Sequence, residues 1–286
     1  MLEDKAWRRV FDFPVPGRIN NKPRQLGLTM VIDKGMGISQ IRDLLELASD
    51  YIDSIKLAFG TSAFYSTGLL RRKIELVKSY GVDICPGGTF LEVAVLQNRL
   101  ERFLQRALEL GFTSVEVSDG TIDMSPFVRR DTIRRALGHG LRVFSEVGKK
   151  DPRDKMPEKR MLDQIVRDLE AGVSGVIIEG RESGKGVVIY DRKGLIMEDV
   201  LERLVGGVEQ PEAIIWEAPL KNQQQTLILR FGPNVNLGNI QPEEVLAVES
   251  LRCGLRGDTL KASIDGLNSA FFLGSSPGRS AGKSRD

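Results

Sequence analysis

The sequence predicts an α/β protein, a single-domain (β/α)8 TIM barrel, and three observations carry that prediction. Short apolar, β-branched runs alternate with stretches of helical period; there are eight such runs; and their starts lie about thirty residues apart, the length of one strand–helix–strand unit. Right-handed units of this kind with short loops either open into a doubly wound sheet or close on themselves, and eight is the closing number. A length of 286 residues suits one such barrel.

In chain order, strands are expected over Gly27 to Ile32, Ile52 to Leu57, Val82 to Cys85, Ser114 to Val117, Leu141 to Ser145, Gly175 to Ile178, Ala213 to Trp216 and Asn234 to Leu237. Helices between them show apolar stripes: Leu70, Ile74 and Val77; Leu100, Phe103, Leu104, Ala107 and Leu108; Met161, Ile165 and Leu169; Val245, Val248 and Leu251. Several strands follow a helix-ending glycine, as in SYGVDIC, ELGFTSVEV, GHGLRVF and EAGVSGVII. The expected division is an N-terminal cap over residues 1–24, the barrel over 25–265, and a Gly/Ser-rich, disordered tail over 266–286.

Composition excludes several classes of function. With 41 Lys and Arg against 39 Asp and Glu, the formal charge is +2, which gives no footprint for nucleic acid or a membrane surface. No apolar run reaches the roughly 18–20 residues that span a bilayer, and the N-terminus lacks a signal-peptide core, so a cytoplasmic location is expected. A single histidine, His139, rules out polyhistidine zinc sites and reads as a helix-end residue. Cys85 and Cys253 form no CxxC, and Cys85 reads as a small core residue. Chemistry must therefore come from carboxylates, amines, amides and backbone.

In such a barrel the C-terminal strand ends carry the chemistry. Here they offer Asp33-Lys34-Gly35, Lys56, Glu116 with Ser118-Asp119-Gly120, Glu146 with Gly148-Lys149-Lys150, Glu179-Gly180-Arg181, Glu217, and Asn236-Leu237-Gly238-Asn239. Glu116, Glu146 and Glu179 fall at similar heights on consecutive strands, with Glu217 next. Carboxylates converging on one cavity repel unless a cation lies among them, and an all-oxygen set points to Mg2+ or Mn2+. Strand alternation places Lys150 on the side of Glu146 and Lys149 on the other, which ranks Lys150 first as acid, base or Schiff-base amine and Lys149 second. The run from Gly180 to Gly186 departs from a P-loop, with three residues between its glycines and Gly186 where a hydroxyl would stand. It remains a cationic anion-binding loop with Arg181, Gly184 and Lys185. The phosphate position common to these barrels falls on Asn236 to Asn239.

The stretches GLTMVIDKG, DYIDSIKLAFGTSA, YGVDICPGGTFLE, ALELGFTSVEVSDGTIDMS, RVFSEVGKKDP, AGVSGVIIEGRESGKG, IIWEAPLKNQQQ and FGPNVNLGNI through LRCGLRGDT occur in order from Gly27 to Thr259. On these residues the chain resembles the phosphosulfolactate synthases. The resemblance implies a Mg2+-dependent barrel enzyme adding sulfite to phosphoenolpyruvate to give (2R)-phospho-3-sulfolactate, which feeds coenzyme M or sulfolactate. Its partners would be these two small molecules, with homo-oligomerisation left open. Within it, we assign Glu116, Glu146 and Glu179 to the metal, and Lys150 to protonation of C2, with Lys149 and Glu146 beside it. Lys34, Lys56, Arg181 and Lys185 are assigned to substrate anions, with Gly184, Asn236 and Gly238 at the phosphate. The rivals are another metal-dependent barrel lyase, a Schiff-base aldolase using Lys56 or Lys150, and a non-catalytic relative of the heat-stress-associated kind.

Overall fold

The computed structural model describes residues 5–7, 10, 17–151, 153–154 and 156–264; the expected tail and half of the expected cap lie outside them. Eight parallel strands form one sheet: β1 (Thr29–Asp33), β2 (Ser54–Leu57), β3 (Asp83–Cys85), β4 (Ser114–Ser118), β5 (Arg142–Val147), β6 (Val176–Ile178), β7 (Ile214–Glu217) and β8 (Asn236–Ile240). Their order, β3-β2-β1-β8-β7-β6-β5-β4, brings the first and last strands of the chain together. At the remaining seam the Thr113 N–H donates to the Ile84 carbonyl at 3.2 Å, and the Ile84 N–H donates to Thr113 Oγ1 at 2.9 Å. The barrel is thus nearly closed.

Around it run α1 (Ile38–Ala48), α2 (Thr67–Ser79), α3 (Gly88–Leu96), α4 (Leu100–Leu110), α5 (Pro126–Gly138), α6 (Glu158–Glu170), α7 (Glu198–Gly206), α8 (Lys221–Phe231) and α9 (Val245–Arg252). Their starts and stops follow local chemistry. The hydroxyls of Ser66 and Ser125 accept from the N–H groups of Leu69 and Val128, capping α2 and α5. The four expected helix-ending glycines, Gly81, Gly111, Gly140 and Gly172, all take positive φ. His139 caps the end of α5 and meets Glu101 at 2.6 Å, in keeping with a helix-end role.

Strand alternation separates two cores. Outward residues such as Val31, Ile55, Ile84, Val115, Val143, Ile178 and Leu237 pack under the helices, while Leu28, Met30, Phe144, Ile177 and Ile215 fill the barrel axis. The residue two places beyond Phe144, Ile177 or Ile215 is a glutamate, so the alternation that buries the axis also lifts Glu146, Glu179 and Glu217 to its C-terminal mouth.

The strand predictions are met in number and order, with one shift of consequence. β8 spans Asn236–Ile240 rather than Asn234 to Leu237, because NLGNI carries little β propensity and conceals a strand. Asn236 therefore opens β8 instead of ending it. Thr29 pairs with Leu237 but Val31 with Ile240, so the one residue between them in β1, Met30, faces two of β8. That is a bulge at Gly238 and Asn239.

The opposite end of the barrel is closed by residues that precede β1. Arg18 pairs with Glu249 at 2.9 Å and also donates to the Gly27 carbonyl, Arg24 pairs with Asp53, and the Lys22 ammonium donates to the carbonyls of Ser49 and Ile52. Among the described residues, no helix is long and apolar enough to cross a membrane.

Candidate active site

A cavity of about 220 Å³ opens at the C-terminal ends of the strands, lined by Lys56, Glu116, Glu146, Lys150, Glu179, Arg181, Glu217 and Asn239, with Ile32 and the Gly87-Gly88-Thr89 start of α3. The strands hold the charged groups in a tight lattice. Lys56 Nζ lies 2.8 Å from Glu217, 3.1 Å from Glu116 and 3.8 Å from Glu146. The Lys150 ammonium contacts Glu146 and stands 2.5 Å from Glu179. Backbone N–H groups fix the remaining carboxylate oxygens: Gly88 donates to Glu116, Arg181 to Glu179 and Gly180 to Glu217. Gly88 has to be glycine here, since a Cβ would come within 2.6 Å of Glu116.

Burial and neighbouring charge sort these groups by protonation. Burial opposes the charge on Lys56, but Glu116, Glu217 and Glu146 outweigh it and hold the ammonium well above the usual lysine range. Lys150 is likewise disfavoured by burial and raised by Glu146 and Glu179. Burial pushes Glu116 up to about 7, with Lys56 offsetting part of the rise. Glu179 is raised well above the carboxylate range by burial and by the charge of Glu146. Glu146 is also buried, yet Lys150 and Lys56 hold it well below that range. Burial raises the Cys85 thiol to about 12, so it stays protonated and is no nucleophile at neutral pH.

Four buried carboxyls face two ammonium groups, and the raised Glu116 and Glu179 show that without a cation among them the crowd is relieved by protonation. Oxygens of Glu146, Glu179 and Glu217 lie within 4.8 Å of one another, a group that could hold a divalent metal ion. A hard cation fits this all-oxygen donor set, and the like charge of Glu146 that helps to raise Glu179 is the repulsion such a cation would relieve.

The expected site residues divide accordingly. Lys56, Glu116, Glu146, Lys150, Glu179 and Arg181 come together on the cavity. Gly238 lies beneath it, its missing side chain leaving room beside Glu217. Glu116 stands apart from the oxygen trio, bound to Gly88 and Lys56, and Glu217 takes its place. Asn236 is redirected most strongly: at the start of β8 it accepts from the Leu28 N–H and donates to the carbonyls of Glu212 and Ile214, far from the mouth. Lys149 turns away, as alternation requires, and donates to the carbonyls of Asp119 and Ile122 and to Asp123. Lys34 is exposed and pairs with Glu182 at 3.3 Å. Lys185 faces a separate groove beside Tyr190, and Gly184 is covered by Gln223, whose amide donates to its carbonyl.

One support escaped the sequence reading, Glu92, and another, Ser118, was named at its strand end without a role. Ser118 donates to Glu92 at 2.7 Å and lies 2.9 Å from Glu146, and the other Glu92 oxygen accepts the N–H groups of Thr121 and Ile122. A lone glutamate inside the apolar run GTFLEVAVL was the available signal. Asn239, named only within the run from Asn236 to Asn239, lines the mouth, whereas Asn236, to which the phosphate was assigned, does not.

An eight-stranded parallel barrel with lysines and carboxylates gathered at the C-terminal strand ends is built as a TIM-barrel enzyme. Solved structures bear out the fold: an aldolase (YdjI) of Escherichia coli K12 superposes with TM-score 0.54 at 11% identity, covering 85% of this chain and 91% of that one. Orotidine 5'-phosphate decarboxylase of Pyrococcus horikoshii gives 0.54 at 14% identity, over 78% and 98% of the two chains. Residues 17–258 match the family model of (2R)-phospho-3-sulfolactate synthase (ComA), and the chain belongs to that family. It is 46% identical to the phosphosulfolactate synthase of Methanothermobacter thermautotrophicus over 88% of this chain and 97% of the relative. To the phosphosulfolactate synthase of Bacillus subtilis it is 36% identical, over 87% and 98%.

Proposed function

We propose that the protein adds sulfite to phosphoenolpyruvate, giving (2R)-phospho-3-sulfolactate, with Mg2+ as cofactor. The observation that supports this most directly is Lys150, held as an ammonium between Glu146 and Glu179 on a cavity that Arg181 also lines. Sulfur attacks C3, the C2–C3 π pair moves towards the carboxylate, and C2 takes a proton. Charge on the substrate carboxylate grows as this happens, so groups that meet it more strongly in the transition state than in the ground state accelerate the step.

The residues fit that demand. Arg181 and Lys56 neutralise incoming anions, and the Gly87-Gly88-Thr89 start of α3 adds the positive end of a helix. Lys150, already in its acid form, donates its Nζ proton to C2. Glu146, Glu179 and Glu217 would hold the metal ion, whose Lewis acidity would favour the developing carboxylate charge. Ser118 and Glu92 keep Glu146 aimed, and Lys149 braces the β4–α5 loop from outside.

A Schiff-base aldolase is disfavoured, because such a lysine attacks as the neutral amine and both Lys56 and Lys150 are held charged. The test is a phosphorus NMR assay of the protein with phosphoenolpyruvate and sulfite, with and without Mg2+. A new phosphate-ester resonance requiring all three components is expected; none forming with folded protein would contradict the proposal.

A further inference from the structure

Asn239 carries three features that closing the barrel does not require. An extra residue in β8 forms the bulge at Gly238 and Asn239. Leu237 faces the helices and the missing side chain of Gly238 faces Glu217 inside, so simple alternation would turn Asn239 outward, yet Asn239 lines the cavity and its amide reaches the carbonyl of Arg181, another lining residue. The bulge has re-aimed it. Its φ is +54°, left-handed backbone that glycine would adopt without strain. The third feature is its amide. The Arg181 carbonyl can only accept, so Nδ2 faces it, at 3.4 Å, and Oδ1 is left buried with no partner. Strain and an unmet buried acceptor on one cavity residue mark a place reserved for a ligand.

Oδ1 can meet a cation or a hydrogen-bond donor, and of the two substrates only sulfite brings a donor in its hydrogen form. Fully ionised phosphoenolpyruvate has none and the sulfite dianion has none, whereas hydrogen sulfite has one O–H. We propose that Asn239 Oδ1 accepts the O–H of hydrogen sulfite, so that the nucleophile enters as a monoanion oriented by this residue; the inference rests on the sulfite-addition reading above. The ionised carboxylates of this layer and an incoming phosphoenolpyruvate repel a monoanion less than a dianion. The proton inventory then closes. The sulfur lone pair forms the bond to C3, the π pair moves to C2 and the carboxylate, and C2 takes a proton from Lys150 Nζ. The sulfonic O–H now formed is a strong acid, and its proton returns Lys150 to the ammonium, so the hydrogen that arrived on sulfite replaces the one delivered to C2.

The test is steady-state kinetics of Asn239→Gly beside the wild type, varying each substrate and Mg2+ in turn, with thermal melts. Loss of the one hydrogen bond is expected to raise KM for sulfite at least about tenfold. KM for phosphoenolpyruvate and the Mg2+ half-saturation should hold, and Tm should hold or rise because glycine relieves the backbone. An unchanged KM for sulfite, an equal rise in both KM values, weakened Mg2+ dependence or a fall in Tm would each overturn the assignment. Wild-type protein that makes no phosphosulfolactate would bring down the reaction itself and this inference with it; wild-type turnover with an unaltered variant removes this inference alone.

Discussion

The two ends of the barrel both bury charge, and they do so to opposite effect. At the N-terminal end Arg18 and Arg24 each grip one carboxylate, Glu249 and Asp53, while Arg252 donates to the carbonyls of Pro233, Val235 and Leu28. Three guanidinium groups face two carboxylates there, and nearly every donor is spent on the fold, although Arg24 Nη1 and Arg252 Nε stay unmatched. At the C-terminal end the charge surplus is negative and surrounds an open cavity. The first cluster ties the segment before β1 to α9 and to the residue that precedes β2; the second keeps its imbalance for what enters. Burial of charge by itself thus does not identify a functional site, whereas buried charge left in surplus around a cavity does.

Mutations at the two ends should therefore fail differently. The largest effect is expected for Lys150→Ala, which removes the proton donor: kcat should fall by about 10²–10⁴-fold while circular dichroism stays native, and full turnover would sink the assignment. Arg18→Ala should do the reverse. Leaving Glu249 buried and unpaired should cost about 3–5 kcal/mol in denaturant unfolding, with kcat of the folded protein unchanged.

A smaller effect sharpens the contrast through pH. Because the folded carboxyl of Glu116 titrates near 7, above its usual 4.5, folding favours its neutral form. Its contribution is fully present below about 4.5 and is lost as pH rises through about 7, so in a chelator Tm should fall across that window. Glu116→Gln should flatten that part of the profile, and an unchanged slope would remove Glu116 as its cause. The smallest effect belongs to Lys149→Ala. With its amine on the outer face of the β4–α5 loop, the substitution should move KM by only a few fold and leave the C2 proton transfer intact, so a collapse of kcat to the level of Lys150→Ala would put Lys149 in the chemistry.

The sequence disclosed the fold where the pattern was strong. Gly111 and Gly172 announced their strands, and the β-branched runs located seven of the eight closely. β8 was harder because asparagine and glycine occupy NLGNI, and a bulge cannot be seen in a period-two pattern that it interrupts. That single shift moved attention from Asn239 to Asn236, which serves the other end. Alternation correctly separated Lys150 from Lys149 despite the intervening Gly148. What it could not supply was distance: that oxygens of Glu217 rather than Glu116 lie with those of Glu146 and Glu179, while Glu116 meets the Gly88 N–H and Lys56, is set by contacts between elements that no periodicity reports.

Whether the negative surplus at the C-terminal mouth is a metal site is tested most directly by titrating Mg2+ into metal-free protein by calorimetry, beside Glu217→Gln. One site per chain in the wild type, with a Tm rise of a size that mass action allows and with both signals lost in the variant, is the result predicted. Equal binding by the two proteins, or none by the wild type, would contradict it.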